Sequence, residues 1–365
     1  MEILKIVVLA NSDAGLYKFR KELLEECAKK HNVIIILPKG EFISNLESIG
    51  CQYIPIEFNR RGINPFAEIK QIKKYIQLLK KIKPDVVLTY TIKPNVYGGI
   101  ACQYLHIPYI SNITGLGTAM ENGGLLKVAT SMLYKYGLRK SRCVFFQNKE
   151  NQKNFLSRGI VRGKNRLIPG SGVNLSQYKY VDYPSEMEGI RFLFVGRIMR
   201  DKGIEELLTA MTEIQKKYKD VRLDIVGGCD EDYTIALKKA VQNGVVSYHG
   251  FQKDMYKFYK NCHCVILPSY HEGLANVLLE GSATGRPVIT TNIPGCQETF
   301  VEGETGYGCE PQSAYSLQLA IDKFLALSFD KRKQMGMNSR KKIENEFDRN
   351  IVVEAYMEEL EAFNC

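Results

Sequence analysis

The 365-residue sequence lacks the features that mark a membrane-spanning, secreted or nucleic-acid-binding protein. No stretch approaches the roughly 18 consecutive apolar residues of a transmembrane helix. The ten cysteines have no framework spacing, which predicts reduced thiols in a cytoplasm. Glu2 and Lys5 come too early for a signal peptide, so the apolar start predicts a short buried strand. No nucleic-acid recognition motif appears, and no internal repeat or low-complexity tract is evident.

Two glutamates stand eight positions apart where a predicted buried strand ends. The strand is predicted at Val265 to Leu267, and a helix is predicted at Leu274 to Thr284. The amides of the helix's first turn have no partner within the helix. Free amides and the helix dipole make such a start a site for anions, above all phosphate. Glu272 before the helix and Glu280 about two turns inside it can face one pocket and bind hydroxyls. The combination indicates a sugar nucleotide, with two unrelated surface glutamates as the alternative.

A second motif places two cations beside another predicted strand end. Gly196 follows the strand Phe192 to Val195, and Arg197 and Lys202 flank the start of a helix predicted from Glu205 to Lys217. Two cations there can converge on a diphosphate, and Gly196 permits close approach of the backbone. The alternative is a pair of solvated surface cations.

Strand and helix patterns alternate along the whole chain, which predicts an α/β protein with parallel sheets and crossover helices. The first sheet is predicted from Ile6 to Ala10, Val33 to Leu37, Val86 to Thr89, Tyr109 to Asn112, Cys143 to Gln147 and Arg166 to Ile168. The second is predicted from Phe192 to Val195, Arg222 to Val226, Val245 to Tyr248, Cys264 to Leu267 and Pro287 to Thr290. Both motifs therefore lie at carboxyl ends of strands, where open parallel sheets bind ligands.

The chain length fits two domains, and the stretch Asn174 to Gly189 has the composition of a linker.

Together the two motifs resemble glycosyltransferase family 4, the retaining enzymes of the GT-B fold. The resemblance consists of Gly-Arg-x4-Lys-Gly from Gly196 and Glu-x7-Glu from Glu272, and it extends over most of the chain. Further segments that fit the family are 170–174, 226–228, 250–251, 285–289, 292–298 and 303–308, the last two as loops. In the first half, 90–98 and 112–117 resemble the polysaccharide and glycan-assembly branch. That branch includes transferases that add N-acetylhexosamines to undecaprenyl-diphosphate glycans.

The resemblance implies two Rossmann-like domains that face each other across a cleft. The N-terminal, acceptor-binding domain would be residues 1–178 together with a C-terminal helix at 350–365. The donor-binding domain would be residues 185–349. An activated sugar would then bind to the second domain and its acceptor to the first.

The resemblance also implies roles for the donor-side residues. Glu272 would contact hydroxyls of the transferred sugar, and Glu280 would bind the ribose. Arg197 and Lys202 would neutralise the leaving diphosphate, so that no metal ion or cofactor is required. The remaining donor-binding residues would be Gly15, Gly196, Phe251, Gly273, Leu274 and Ala275. Retention without an enzymic nucleophile implies attack on the face that the leaving phosphate occupies.

One departure from the family pattern concerns the sugar-orienting group. Many relatives carry a histidine after the fourth first-domain strand, where this chain has Thr91-Ile92-Lys93. Lys93, Asn95 or Thr114 would have to replace it. Gly15 is expected in the loop after the first strand, where an ordinary strand-to-helix turn is the alternative.

Cys262-His263-Cys264 is the one stretch that suggests a metal site. Alternate residues of a strand point to opposite faces, and no Cys-x2-Cys accompanies the three. We interpret them as small buried residues.

Charge is divided unevenly between the halves. Residues 1–178 hold 27 Lys and Arg against 12 Asp and Glu, whereas residues 179–365 hold 23 against 28. A basic first half favours contact with acidic lipids at the inner face of the cell membrane. The segments that concentrate the charge are 68–83 and 139–142. The segment 68–83 is amphipathic, with Ile69, Ile72, Ile76 and Leu79 on one face. That apolar face can pack on the protein's own sheet or lie on a membrane.

The resemblance, together with the composition and charge, implies a cytoplasmic, peripheral, metal-independent retaining glycosyltransferase. It would move a hexose or N-acetylhexosamine from a UDP-sugar to a lipid-diphosphate-linked glycan in capsule, O-antigen or related synthesis. Two alternatives are an enzyme like UDP-N-acetylglucosamine 2-epimerase and a catalytically silent nucleotide-sugar-binding subunit.

Overall fold

The computed structural model describes residues 2–57, 65–115 and 124–363. The chain divides into two compact units, Met1–Ser171 with Asn350–Cys365, and Gly172–Arg349. This division falls just before the stretch that was expected to be a linker. None of the helices in the described ranges combines the length and apolar character needed to span a bilayer.

The first unit is built on a parallel sheet. Its described strands are β1 Lys5–Leu9, β2 Asn32–Leu37, β3 Cys51–Pro55, β4 Val86–Tyr90, β5 Tyr109–Ile113, β6 Cys143–Phe146 and β7 Asn165–Leu167. They lie in the order β3-β2-β1-β4-β5-β6-β7, so the direction of winding reverses between β1 and β4. The central strands are mostly apolar and buried on both faces, as is usual in parallel sheets, whereas the edge strands β3 and β7 are only partly buried.

Helices cover both faces of this sheet. They are α1 Asp13–Lys30, α2 Ile43–Ser48, α3 Pro65–Ile82, the π-helix Pro94–Gly98, α4 Gly99–Leu105, α5 Gly124–Leu138 and α6 Lys149–Ser157. The chain's last helix, Arg349–Glu361, packs Val352, Tyr356 and Leu360 into the same core. On α3, Leu79 is buried and Ile72 and Ile76 pack against the sheet, whereas Ile69 is exposed. The predicted apolar stripe of α3 is therefore a core-packing face, apart from Ile69.

The second unit repeats the design. Its described strands are β8 Ile190–Val195, β9 Val221–Val226, β10 Val246–Tyr248, β11 Cys264–Leu267, β12 Val288–Thr291 and β13 Gly306–Cys309. Their order is β10-β9-β8-β11-β12-β13, again parallel, with the reversal between β8 and β11. The helices are α7 Ile204–Lys217, α8 Thr234–Gln242, α9 Tyr256–Asn261, α10 Asn276–Ala283, α11 Ala314–Leu325 and α12 Phe329–Glu346, with 3₁₀ turns at Arg200–Lys202 and Gln297–Thr299.

The prediction of an α/β protein with two parallel sheets is confirmed, but two strands were missed. β3 and β13 are both edge strands, and part of each is exposed. Gly306 to Gly308 was expected to be a loop and forms most of β13. The helix predicted from Leu274 begins only at Asn276, because Ala275 has ψ of 82° and is not helical.

The stretch 174–189 was expected to be a linker and instead packs on the second unit. Tyr183 donates its hydroxyl to His263 O at 3.0 Å, and Val181 N–H donates to Thr284 O at 3.3 Å. Arg286 is fully buried and donates to Val181 O and Asp182 O, both at 3.1 Å. Its guanidinium also donates to backbone carbonyls of 259, 260 and 285. One buried arginine thus fastens the segment to the sheet.

Replacing Arg286 should therefore destabilise the second unit. Arg286→Leu leaves several buried carbonyl oxygens without a donor, and each such group costs about 1–3 kcal/mol. We expect urea unfolding to show a loss of at least about 3 kcal/mol in the free energy of unfolding. Arg222→Leu is the control, because the Arg222 side chain is exposed, and it should change that free energy by less than about 0.5 kcal/mol. Equal effects of the two changes would contradict this role.

Candidate functional site

The cationic and carboxylate motifs meet at the point where the second sheet reverses its winding. Arg197 and Lys202 follow β8, and Glu272 follows β11, which pairs directly with β8. A crevice opens at such a point in doubly wound sheets, because the loops of the two strands diverge to opposite faces. The sequence thus predicted correctly that both motifs lie at carboxyl strand ends.

Lys202 and Glu272 form an ion pair. The Lys202 ammonium donates to Glu272 Oε1 at 2.5 Å, and the two side chains are 17% and 16% exposed. An ammonium has three donors, and a carboxylate has two accepting oxygens. Within the described ranges, no other partner engages the Lys202 ammonium or Glu272 Oε2. Lys202 can therefore still donate hydrogen bonds to a ligand, and Glu272 can still accept them from it.

The two residues meet because their loops are tied together. Ser269 donates its hydroxyl to Asp201 O at 3.2 Å, and Tyr270 N–H donates to the same oxygen at 2.9 Å. Gly203 has φ of 69°, and a Cβ there would lie 2.1 Å from Pro268 O. Only glycine accommodates both the left-handed backbone and this contact. The glycine after Lys202 thus lets the first loop lie against the second.

A third loop supports Glu272 from the other side. A Cβ on Gly295, whose φ is 88°, would lie 2.6 Å from Glu272 O. Ala275 N–H donates to Gly295 O at 2.8 Å, so this amide is not open to an anion as we expected. Leu274 N–H has no acceptor among the described residues, and Gly273 lies between Glu272 and Leu274 in the same loop. The open donors at this helix start are therefore fewer than predicted.

Arg197 lies at the start of the same loop as Lys202, but its hydrogen-bond partner is outside the Lys202–Glu272 pair. Its guanidinium donates to Asp230 Oδ2 at 2.7 Å, with 58% of the Arg197 side chain exposed. Exposed pairs of this kind contribute at most about 1 kcal/mol, so an incoming phosphate can compete with Asp230. The structure therefore brings Lys202 and Glu272 together but gives Arg197 a separate partner.

Asp230 belongs to an Asp-x-Asp sequence, Asp230-Glu231-Asp232, that we overlooked in the sequence. Each of its carboxylates is engaged within the chain. Glu231 accepts from Arg200 N–H at 2.9 Å, and Asp232 accepts from Thr234 N–H at 3.2 Å. In the part of the chain that the structure describes, no group of three His, Cys, Asp or Glu residues is arranged to hold a metal ion.

Glu280 has a different environment from Glu272. It lies in α10 and accepts a hydrogen bond from the Tyr259 hydroxyl at 2.8 Å. Burial, and secondly the Glu280 carboxylate, raise the pKa of Tyr259 well above its ordinary value. Because α10 starts at Asn276, the eight residues from Glu272 to Glu280 do not form two helical turns. The spacing argument for a shared pocket is therefore wrong, although both residues remain candidates.

The loop after β10 brings an aromatic ring to the same end of the sheet. Gly196 N–H donates to Val226 O at 3.0 Å, and Gly227 N–H donates to Gly250 O at 2.9 Å. These bonds join the loops after β8, β9 and β10. Phe251, the next residue, is 64% exposed, which is unusual for a phenylalanine.

In the first unit, the candidates after β4 and β5 have contrasting surroundings. Lys93 pairs with Glu68 at 2.6 Å, and both side chains are mostly buried. Thr114 follows β5 and is half-buried. Both remain candidates for contact with a sugar.

Asn95 and Gly15 have surroundings that differ from the predicted ones. Asn95 is fully buried, accepts from the Thr89 hydroxyl at 2.7 Å and donates to Asn112 O at 2.8 Å. It therefore joins two strands. Gly15 lies in the first turn of α1, not in a loop, and donates its N–H to the capping Ser12 hydroxyl at 3.2 Å.

A residue that sequence reasoning missed stands at the end of β4. Thr91 has φ of 70°, a left-handed conformation that costs a β-branched residue about 1–3 kcal/mol. Its hydroxyl is buried without a hydrogen-bond partner among the described residues. The π-helix Pro94–Gly98 follows, and such helices are frequent at functional sites. No pattern in a single sequence indicates this strain.

The suspected Cys-His-Cys stretch is structural. Cys262, His263 and Cys264 are buried, and His263 Nδ1 accepts from Arg191 N–H at 3.0 Å. Its other nitrogen faces Ser185 O at 3.2 Å. Burial lowers the pKa of His263 and raises that of Cys262 to about 12, so these groups stay neutral.

Two family models match the chain. "Glycosyl transferase 4-like" matches residues 5–148, and "Glycosyl transferases group 1" matches residues 181–342. Together the two ranges span most of the chain and fall in separate units.

Similar proteins extend over nearly the whole length. The N,N'-diacetylbacillosaminyl-diphospho-undecaprenol alpha-1,3-N-acetylgalactosaminyltransferase of Campylobacter jejuni is 26% identical, with 97% of each chain covered. The capsular polysaccharide biosynthesis glycosyltransferase CapM of Staphylococcus aureus is also 26% identical, with 89% of this chain and 88% of CapM covered. The structure of Anabaena HepE, solved in complex with UDP and glucose, superposes with a TM-score of 0.80 at 18% identity and covers 98% of this chain and all of HepE.

Strain at Thr91 should be measurable as lost stability. Asparagine tolerates the left-handed region better than threonine, so Thr91→Asn should raise the melting temperature by a few degrees, about 2–4 °C per kcal/mol. Gln312→Asn is the matched control, because Gln312 is exposed, has φ of 57° and is not β-branched. Its gain should be smaller. A lower melting temperature for Thr91→Asn would show that Thr91 is not strained.

Proposed function

The chain belongs to the family-4 glycosyltransferases of the GT-B fold, and we propose that it transfers a sugar from a UDP-sugar to a lipid-diphosphate-linked glycan. The transferred sugar would be a hexose or an N-acetylhexosamine. The product would enter bacterial capsule, O-antigen or related glycan synthesis, in keeping with the names of the relatives.

The observation that carries the proposal is the Lys202–Glu272 pair at the reversal of the second sheet. A nucleotide sugar presents a diphosphate next to sugar hydroxyls, so it needs a cation and a carboxylate at adjacent positions. Lys202 would use its remaining hydrogens on the phosphate, and Glu272 Oε2 would accept from a sugar hydroxyl. The pair also holds each side chain in place before the donor arrives.

Neutralisation of the negative charge on the leaving diphosphate would contribute most to the rate acceleration. As the bond between sugar and phosphate breaks, negative charge grows on the diphosphate, and fixed cations stabilise that charge most strongly. Lys202 would lie beside that charge, and Arg197 would exchange Asp230 for a phosphate oxygen. With two cations in that role the reaction would proceed without a metal ion or a cofactor.

The transfer would retain the configuration at the sugar carbon. In the mechanism we propose, the acceptor hydroxyl attacks from the side of the leaving group, and the leaving phosphate takes its proton. An α-linked donor would then give an α-linked product.

The nucleoside would occupy the side of Phe251 and Glu280. Phe251 offers an exposed ring for the base. Glu280 accepts from the Tyr259 hydroxyl, and because a carboxylate accepts up to about four hydrogen bonds, it would also bind ribose hydroxyls. UDP as the nucleotide is supported by the similarity to HepE, whose solved complex holds UDP.

The acceptor would be presented at a membrane. The Campylobacter relative is named for an undecaprenol-linked substrate, and residues 1–178 of this chain are strongly basic. Peripheral contact with the inner face of the cell membrane would bring the first unit to such an acceptor. Lys93 and Thr114 are the residues there that we propose contact sugar.

Removing either member of the pair should abolish most transfer. With membrane extract as acceptor source, and UDP-N-acetylgalactosamine, UDP-N-acetylglucosamine, UDP-galactose and UDP-glucose tested in turn, Glu272→Ala and Lys202→Ala should each lower UDP release by about 100-fold or more. Lys216→Ala and Glu213→Ala are matched controls, because those residues form an exposed pair at 2.6 Å in α7 of the same unit. The controls should retain wild-type rates.

Equal UDP release by wild type and Glu272→Ala would contradict a role for this site in transfer. A silent subunit would give another result. UDP-sugars would raise its melting temperature, but it would release no UDP with any acceptor.

Loss of the Phe251 ring should weaken donor binding more than chemistry. Stacking of a base on an aromatic side chain contributes about 1–3 kcal/mol. Phe251→Ala should therefore raise KM for the UDP-sugar about tenfold or more while kcat changes little. Tyr315→Ala removes another exposed ring of the same unit and should leave both constants unchanged. A fall in kcat at constant KM would exclude the stacking role.

A further inference from the structure

Helix α5 in the first unit presents a row of large apolar side chains to solvent. Val128, Met132 and Tyr136 are 52%, 66% and 58% exposed, and Leu133 beside them is 45% exposed. Residues four apart stack along one side of a helix, so these side chains form one continuous strip. Single exposed apolar residues are ordinary, but a contiguous strip of them marks an interaction surface.

The opposite side of α5 anchors the helix to its unit. Thr130, Tyr134 and Leu138 are buried, and Tyr134 packs edge-on against Phe155 with ring centroids 5.1 Å apart. A Cβ on Gly137 would lie 2.7 Å from Val96 Cα, so the helix backbone lies directly against the π-helix. The strip is therefore carried by a helix that is already fully packed on its inner side.

Cations flank the strip around an open cavity of roughly 480 Å³. Its lining includes Met132 and Tyr136 together with Lys135, Arg139 and Arg162. No carboxylate of the described residues pairs with these three cations. A cavity with these three cations and an apolar border fits a ligand that joins a phosphate group to a hydrophobic portion.

We propose that the outer face of α5 docks on an anionic lipid bilayer. Met132 and Tyr136, with Val128 and Leu133, enter the boundary between headgroups and acyl chains, while Lys135, Arg139 and Arg162 bind lipid phosphate. Interfacial helices combine an apolar strip with basic flanks in this way. A second copy of the chain would bring the same cations together and is disfavoured by repulsion, and nucleic acid would leave the apolar strip without a partner.

This surface also differs from the helix that the sequence first suggested for membrane contact. Most apolar residues of α3 pack against the core, whereas Ile69 is exposed. On α5 the apolar residues themselves are exposed. The biological purpose of docking rests on the proposed function, which supplies a membrane-bound acceptor. Docking itself needs no donor sugar, so Glu272→Ala should dock like the wild type.

The absence of tryptophan from the chain permits a direct test. Tyr136→Trp introduces the only indole, and vesicles of phosphatidylcholine with phosphatidylglycerol should shift its emission to shorter wavelength. Tyr315→Trp is the matched control, because Tyr315 is 70% exposed and lies on α11 of the second unit. Its emission should not shift. Vesicles of phosphatidylcholine alone should give a much weaker shift for Tyr136→Trp, and added salt should reduce the shift.

Co-sedimentation of the full chain with the same vesicles measures each contribution. Lys135→Gln with Arg139→Gln should lower the partition coefficient about 30-fold, from about 1 kcal/mol per cation. Met132→Ser with Tyr136→Ser should lower it at least about tenfold. The control Lys73→Gln with Lys80→Gln removes the same charge from exposed positions of α3 and should have a smaller effect.

Three results would overturn the proposal. One is an unchanged Tyr136→Trp emission with anionic vesicles. Another is an equal loss of partition for the α3 and α5 charge variants. The third is a concentration-dependent dimer that Met132→Ser with Tyr136→Ser abolishes, which would assign the strip to a second copy. If Glu272→Ala still binds vesicles but releases no UDP, docking and transfer are separate properties, so either can fail alone.

Discussion

The donor site depends on the contact between the loops that follow β8 and β11. Asp201 O accepts two hydrogen bonds from the second loop, and Gly203 lies against Pro268 O. Without this contact Lys202 and Glu272 would belong to unrelated loops 70 positions apart in the sequence. The topology creates the opportunity, because only at the reversal of winding do neighbouring strands send their chains to opposite faces. Two opposite charges can then be held side by side with room for a ligand that needs both.

The sequence predicted the parts of the fold that follow from strong local patterns. Central strands such as β1 and β11 are continuous apolar runs, and their ends located Arg197, Lys202 and Glu272 correctly. β3 and β13 were missed because neither is an uninterrupted apolar run: β3 contains Gln52 and Pro55, and β13 contains two glycines. Gly306 and Gly308 weaken the strand signal of β13 further, since glycine has a low β propensity.

Other features could not be predicted, because they arise from tertiary contacts. The burial of Asn95 depends on hydrogen bonds to Thr89 and Asn112, which lie on two different strands. The left-handed backbone of Thr91 is imposed by its surroundings against the preference of the residue. The Ala275 N–H, which was expected to be open to an anion, donates instead to Gly295 O in the next loop. In each case the deciding partner is distant in sequence, and no local spacing reports it.

The segment 174–189 is held to the second unit by two arginines that use different kinds of acceptor. Arg332 donates two hydrogen bonds to the Glu186 carboxylate, which belongs to a side chain. Arg286 donates to peptide oxygens, two of them in the segment itself, at positions 181 and 182. Every residue type supplies a peptide oxygen, so substitutions at 181 and 182 leave the acceptors of Arg286 in place. A substitution of Glu186, in contrast, removes the acceptor of Arg332 altogether.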